Sequence, residues 1–169
     1  VIIKYDTETY AEVARAYVGK DPHVTTTFRT NTLYVAQQGS DQVSFLSQDD
    51  LTPVAPPVTV PDAHGTLMFA PFDDTLYVSD IADDANEDRG LYAISLETNE
   101  IVGKTLDSQR KKSLPGVYHN LAGTGERLFV THTGSNIVSV WNTKGDTVVP
   151  QLRRKKEKNE GLNIIRTSQ

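Results

Sequence analysis

Histidine is the side chain best suited to chemistry near neutral pH, since imidazole exchanges protons there and ligates transition metals in its neutral form. The 169-residue chain has four histidines and no cysteine, so thiolate metal sites, disulfides and a cysteine nucleophile are excluded together. Three of the histidines recur in one kind of place: His23 follows Asp21-Pro22, His64 follows Asp62-Ala63, and His119 follows Val117-Tyr118. If equivalent strands carry them, His23, His64 and His119 converge on one rim, where imidazoles on a rigid frame suit copper, zinc, iron or nickel. The preferred alternative is that each ring hydrogen-bonds a backbone group at its turn, with no metal and no other cofactor.

The fourth histidine, His132, ends the stretch Arg127-Leu128-Phe129-Val130-Thr131, and the matching slots elsewhere hold Gln37 and Asp80. These three polar side chains are expected at the channel end of their units, either binding a polar ligand or satisfying a turn. Asp80, Asp83, Asp84, Glu87 and Asp88 crowd oxygen ligands of the kind calcium takes into one stretch. Their spacing lacks the central Gly and terminal Glu of an EF-hand, and a solvated acidic loop is the plainer reading.

No catalytic set emerges. The sequence has no Gly-x-Ser-x-Gly elbow, phosphate-binding loop, His-Glu-x-x-His or Gly-x-Gly-x-x-Gly, and Gly123-Thr124-Gly125 reads as a hairpin turn. Lys and Arg number 17 against 22 for Asp and Glu, a net charge of −5 that draws in neither nucleic acid nor anionic membrane. Within that acidic balance Arg110-Lys111-Lys112 and Arg153-Arg154-Lys155-Lys156-Glu157-Lys158 form two basic clusters, read as a solvated loop and tail. No apolar run reaches 18 residues, so no membrane span is expected.

What must position these residues is a repeat. Thr32-Leu33-Tyr34-Val35-Ala36 returns as Thr75-Leu76-Tyr77-Val78-Ser79 and as Arg127-Leu128-Phe129-Val130-Thr131, at offsets of 43 and 52 residues. Gly39-Ser40-Asp41-Gln42-Val43-Ser44 matches Gly134-Ser135-Asn136-Ile137-Val138-Ser139. A period near 40 residues, filled by short alternating runs between Gly, Asp, Asn and Ser turns, means repeated antiparallel units. The first unit reads as strands over 23–29, 32–37, 42–47 and 54–60, the second as 64–69, 74–80, 90–96 and 100–106, and the third as 119–123, 126–132, 136–142 and 146–152. Residues 1–5 and 12–18 supply the last two strands of an earlier unit. Four strands per unit make one blade of a β-propeller, so the chain is all-β with about three and a half blades, 1–18 partial and then 23–60, 64–106 and 119–152. A basic tail over 153–169 carries a possible strand near Leu162-Asn163-Ile164-Ile165-Arg166.

These units resemble the YVTN-type propeller repeat, which carries a Pro-His start, a Leu-Tyr-Val strand, a Gly-Ser-Asn-Thr-Val-Ser-Val turn and strand, and an Asp-Thr-x-Thr-Asn hairpin. Tyr5-Asp6-Thr7-Glu8-Thr9 and Leu96-Glu97-Thr98-Asn99 stand in for that hairpin. The chain departs from the pattern where Gln37, Asp80 and His132 replace the Asn after the Tyr-Val strand. The resemblance implies a seven-bladed propeller from exported or surface proteins, hence an extracytoplasmic setting. It fixes shape and leaves chemistry open.

Incomplete closure leaves strand edges for pairing. The expected partners are therefore further blades of a longer polypeptide, a protein partner, or a second copy in a homo-oligomer. Val1-Ile2-Ile3 reads as the inside of a strand, as in a processed or longer polypeptide. The leading functional expectation is a non-enzymatic, extracytoplasmic propeller segment that binds protein or serves as a scaffold. The alternative is a domain of a periplasmic enzyme, metal-dependent redox or lactonase-like, using channel-facing histidines.

Overall fold

The computed structural model describes residues 1–26, 30–69, 74–80, 90–106, 117–124, 127–135, 137–142 and 165–166, those of 64–69, 105–106, 117–120, 122–124, 142 and 165–166 through their backbone only. Fourteen strands and one 3₁₀ turn, Gln38–Ser40, make up the regular structure among them. The strands form one two-stranded and three four-stranded antiparallel sheets.

The first sheet pairs β1 (Ile2–Tyr5) with β2 (Glu12–Ala16). The next runs β3 (Pro22–Thr26), β4 (Thr32–Gln37), β5 (Gln42–Ser47) and β6 (Pro53–Thr59), each strand paired with the one before it. A third follows with β7 (Ala63–Phe69), β8 (Thr75–Asp80), β9 (Gly90–Ser95) and β10 (Ile101–Leu106), and the last with β11 (Val117–Thr124), β12 (Arg127–Thr133), β13 (Ile137–Asn142) and β14 (Ile165–Arg166). First strands lie side by side, β7 touching β3 on one flank and β11 on the other. Consecutive meanders stacked through their first strands are blades of a β-propeller, about three and a half of them, and the sheets do not close into a ring.

Up to β13 the described strands lie close to their expected places, because the Leu-Tyr-Val runs alternate and turn residues bound them. One difference concerns the last blade. The expected fourth strand over 146–152 falls outside the described residues, and the place beside β13 is held by β14, with Ile137 opposite Arg166 and Val138 opposite Ile165.

The hairpins between third and fourth strands are built identically in three blades. Asp6, Ser47 and Ser95 each donate a backbone N–H to the carbonyl five residues on, at 2.9, 2.7 and 2.9 Å, and accept one from the residue four on. That fourth residue, Tyr10, Leu51 or Asn99, has a φ of 57, 62 or 57°, the left-handed position such loops require. Because β1 and β2 share this hairpin with β5–β6 and β9–β10, they are the third and fourth strands of their blade.

Both faces of a blade are buried. Tyr34, Ala36, Val43 and Phe45 pack against Leu76, Val78, Tyr92 and Ile94 of the following blade. From the opposite face of that blade, Tyr77, Leu91 and Ala93 meet Leu121, Leu128, Val130 and Trp141. Each large side chain so enclosed contributes about 1.5–3 kcal/mol. Tyr34 and Phe45 are direct cross-strand partners and meet edge to face, with ring centroids 5.7 Å apart.

Candidate functional site

The chemistry-bearing residues lie at one end of the blades, where first strands begin and second strands finish. Pairing puts Pro22 opposite Gln37 and His23 opposite Ala36, then Ala63 opposite Asp80 and His64 opposite Ser79. In the last blade Tyr118 pairs with His132, and His119 falls in a register irregularity between Tyr118 and Leu121. The histidine and the polar slot are thus one residue out of step across the same pair of strands, and so on opposite faces of the sheet. Contacts between β3, β7 and β11 place His23, His64 and His119 on neighbouring strands at the same level of the repeat. The His23 side chain is half-buried, and those of His64 and His119 lie outside the described side chains.

The turn before the first strand repeats as well. Asp21 and Asp62 have φ of 48 and 41°, a conformation that Asp tolerates better than most residues. In the second of these junctions Val60 N–H donates to Asp41 O at 3.0 Å, and Asp62 N–H to Asp41 Oδ1 at 2.9 Å. The carbonyl of Asp21 accepts from Gln38 N–H at 3.3 Å. Acidic residues of the repeat therefore hold the chain as it crosses from one blade to the next.

Gln37, Asp80 and His132 are 2, 3 and 3% exposed. Alternation puts each on the face turned toward the preceding blade: Asp80 with Leu76 and Val78, His132 with Leu128 and Val130. Gln37 Oε1 accepts the Gly19 N–H at 2.6 Å, from the segment arriving out of β2, and its Nε2 donates to Ser44 Oγ. His132 Nε2 lies 2.7 Å from Ser139 Oγ, which also accepts the Trp141 indole N–H at 2.7 Å. At 37 and 132, then, the polar slot is filled by a group that ties strands together inside a seam.

Asp83, Asp84, Glu87 and Asp88 lie outside the described residues, as do Arg110-Lys111-Lys112 and the basic tail over 153–158. Among the described residues, no group of three His, Asp or Glu side chains comes together in a way that would hold a metal ion. No helix among them is long and apolar enough to cross a membrane. Sequence reasoning missed Ser44 and Ser139; their shared place in the Gly-Ser-x-x-Val-Ser stretch was the signal that could have found them.

No protein-family model and no curated protein matches the sequence. Solved structures do match. A candidate 6-phosphogluconolactonase of Bacteroides fragilis aligns with 90% of this chain at a TM-score of 0.66 and 17% identity. One of Bacteroides uniformis aligns with 96% at a TM-score of 0.64 and 16% identity. Likeness at that identity is a likeness of fold. The chain spans 41% of the length of the first and 47% of the second.

Proposed function

We propose that this chain is part of a lactonase-like propeller, an enzyme that takes a sugar lactone at the rim where its first strands begin. The observation that carries the reading is the fold shared over nine-tenths of the chain with two candidate 6-phosphogluconolactonases, which favours this reading over a non-enzymatic scaffold. The reaction asks little of a site. Water adds to the lactone carbonyl, the ring C–O bond breaks, and the ring oxygen leaves with a proton as the open acid forms. A neutral imidazole is suited to take the proton from water and return it to the leaving oxygen. His23, His64 and His119 are the groups we assign to that step. The basic run Arg110-Lys111-Lys112, in the connection from β10 to β11, supplies cations for a phosphate on the sugar.

Calorimetry with 6-phosphogluconate and with gluconate, beside lactone hydrolysis measured above its spontaneous rate, tests this reading. The expected result is saturable binding that prefers the phosphorylated acid. His23→Ala weakens it at least tenfold, and Lys111→Ala with Lys112→Ala abolishes the preference. Binding of neither acid, with no acceleration in the presence or absence of a chelator, rejects it.

A second reading rests on a separate observation: Val1, Tyr5, Tyr10, Val13 and Tyr17 are exposed in and beside the first sheet, where, among the described residues, β1 pairs with β2 alone. Such an edge suits the addition of a strand from a protein partner, further blades or a second copy, the scaffold role expected of an extracytoplasmic segment. Light scattering that finds only monomer, together with no retained partner in pull-downs, removes it.

A further inference from the structure

We infer that the outer face of the first sheet, around Ile3 and Tyr5, is one side of a blade seam, and that a second copy of this chain covers it with the far face of its last blade. The inference is independent of the lactone reading. It rests on the partner reading of the first sheet and takes it further, from a strand edge to a sheet face and to one occupant.

The matched hairpins set the alignment. Asp6, Ser47 and Ser95 hold one position, so Tyr5 corresponds to Leu46 and Ile94, and Ile3 to Ser44 and Tyr92. In the blade of β7–β10, Tyr92 and Ile94 are buried against Tyr34, Ala36, Val43 and Phe45 of the blade before it. Leu46 lies on the face opposite Phe45, the one turned to the first sheet, and is buried. Trp141, the matching residue of β13, is fully buried against Tyr77, Leu91 and Ala93. Tyr5 breaks the pattern, at 54% exposed. Lys4, on the other face of β1, reaches the following blade at Gln48 and Asp49, so Ile3 and Tyr5 are on the side turned away from it. Among the described residues, no sheet stands on that side.

Pairing with β2 puts Arg15 opposite Ile3 and Glu12 opposite Tyr5, on the same face. These two form an ion pair at 2.6 Å, so the face carries no net charge, and a charge already paired is covered at less cost than a lone one. What fits such a face is one of the kind that Tyr34, Ala36, Val43 and Phe45 make. In the last blade Phe129, Thr131, Val138 and Val140 fill those positions. Thr131 is exposed and the other three are half-buried, whereas their counterparts in the first seam are fully buried.

Each chain thus carries the two sides of a seam at its two ends, and its own sheets do not close into a ring to join them. Two copies about a twofold axis make the contact twice, last blade to first sheet. The first sheet has third and fourth strands only, so each contact is about half a seam, and the two together match one seam inside the chain. The solved structures of this fold point to the same number. The chain spans 41 and 47% of their lengths, so two copies supply most of one ring.

Sedimentation equilibrium of the 169-residue chain reads the pair directly, with an expected mass of twice 18.7 kDa. Tyr5→Asp and Thr131→Arg each place a charge in both contacts and should weaken association about thirtyfold or more. Mixed in equal amounts, the two variants can form one contact from unaltered faces, so a mixed pair should appear where neither variant pairs with itself. Tyr5 and Thr131 are exposed, and circular dichroism checks that both variants fold; should Thr131→Arg fail, Val138→Lys takes its place in the mixture. A natural chain that stays monomeric at about 0.1 mM overturns the inference, and a monomer that still retains a partner in pull-downs does so while leaving the partner reading in place. Pairing that ignores Tyr5→Asp also overturns it. Variants that stay monomeric when mixed do the same, because they show each face pairing with its like.

Discussion

His132 and Gln37 hold the same place in two different blades, and each hydrogen-bonds the serine seven residues further on, Ser139 and Ser44. The two serines sit two positions into the third strands, opposite Val130 and Val35. The bond therefore runs diagonally across adjacent strands and fixes the end of the second strand against the third. Ser139 also holds Trp141, whereas Gln37 also holds Gly19. In one blade the clasp anchors a core aromatic, and in the other it anchors the incoming chain.

Removing the hydroxyl should hurt more where it bonds two partners inside the core. Ser139→Ala is expected to cost about 1–3 kcal/mol, because the Trp141 N–H loses its acceptor in a dry seam. Ser44→Ala is expected to cost about 1 kcal/mol, since Gln37 keeps its bond from Gly19. Urea unfolding of the two variants checks the order, and equal losses would mean that the Trp141 bond adds nothing.

Gly19 is held by contact and Gly134 by conformation, and the two should respond differently to alanine. A Cβ at Gly19 would collide with Ser40 and with Gln37 Oε1, which are the partners of Lys20 N–H and Gly19 N–H. Gly19→Ala should therefore displace both and cost about 1–3 kcal/mol. Gly134 has a φ of 83° and nothing within 4 Å of an added Cβ. There the cost is backbone strain alone, about 1 kcal/mol. Thermal melts of the two variants, with backbone amide shifts at Gln37 and Ser40, separate the mechanisms.

The repeat was legible because its strands are short and its turns strongly marked. Thr32 to Gln37 is a strand as expected, and the hairpin at Asp6-Thr7-Glu8-Thr9 proved the same as that at Ser95. The orientation of the polar slot was not legible. Alternation tells two faces apart when one is wet, but here Tyr34 and Val35 are both fully buried, so sequence offers no sign of which face meets which blade. Gln37, Asp80 and His132 were expected at the channel end of their blades, and the structure adds what the sequence could not, that each is buried at the end of its second strand on the side of the preceding blade. The place beside β13 shows the other limit, since the segments over 146–152 and 162–166 both have strand character in the sequence, and propensity does not rank them.

Lys4 joins the first sheet to the hairpin of the next blade. Its Nζ donates to Gln48 O at 3.0 Å and to Asp49 O at 2.8 Å. Lys4→Met keeps the aliphatic stem and removes both bonds. The expected loss is about 1 kcal/mol, felt by the first sheet and little elsewhere. Limited proteolysis should cut residues 1–18 sooner in the variant while the melting temperature of the remainder stays put. Unchanged cleavage would show that packing alone holds the first sheet.

The matched hairpins allow a pH experiment with its own control. Asp6 Oδ1 accepts the Thr9 N–H at 2.7 Å, the Thr9 hydroxyl at 2.8 Å and the Glu8 N–H at 3.0 Å. Those bonds, Thr9 N–H first, hold the Asp6 carboxyl below the usual carboxylate range. A carboxyl depressed in the fold gives stability that is present above its unfolded value near 3.9 and is lost as the pH falls through its folded value. In the hairpin after β9, Ser95 Oγ accepts from Glu97 N–H at 3.2 Å and Thr98 N–H at 3.3 Å, and a hydroxyl does not titrate there. Exchange of the Thr9 amide, corrected for its intrinsic rate, should therefore accelerate between pH 5 and pH 3, while that of Thr98 stays constant. Asp6→Asn keeps an acceptor oxygen and should flatten the Thr9 profile. If Thr9 and Thr98 accelerate together, the acid effect belongs to the whole fold and the Asp6 turn has no part in it.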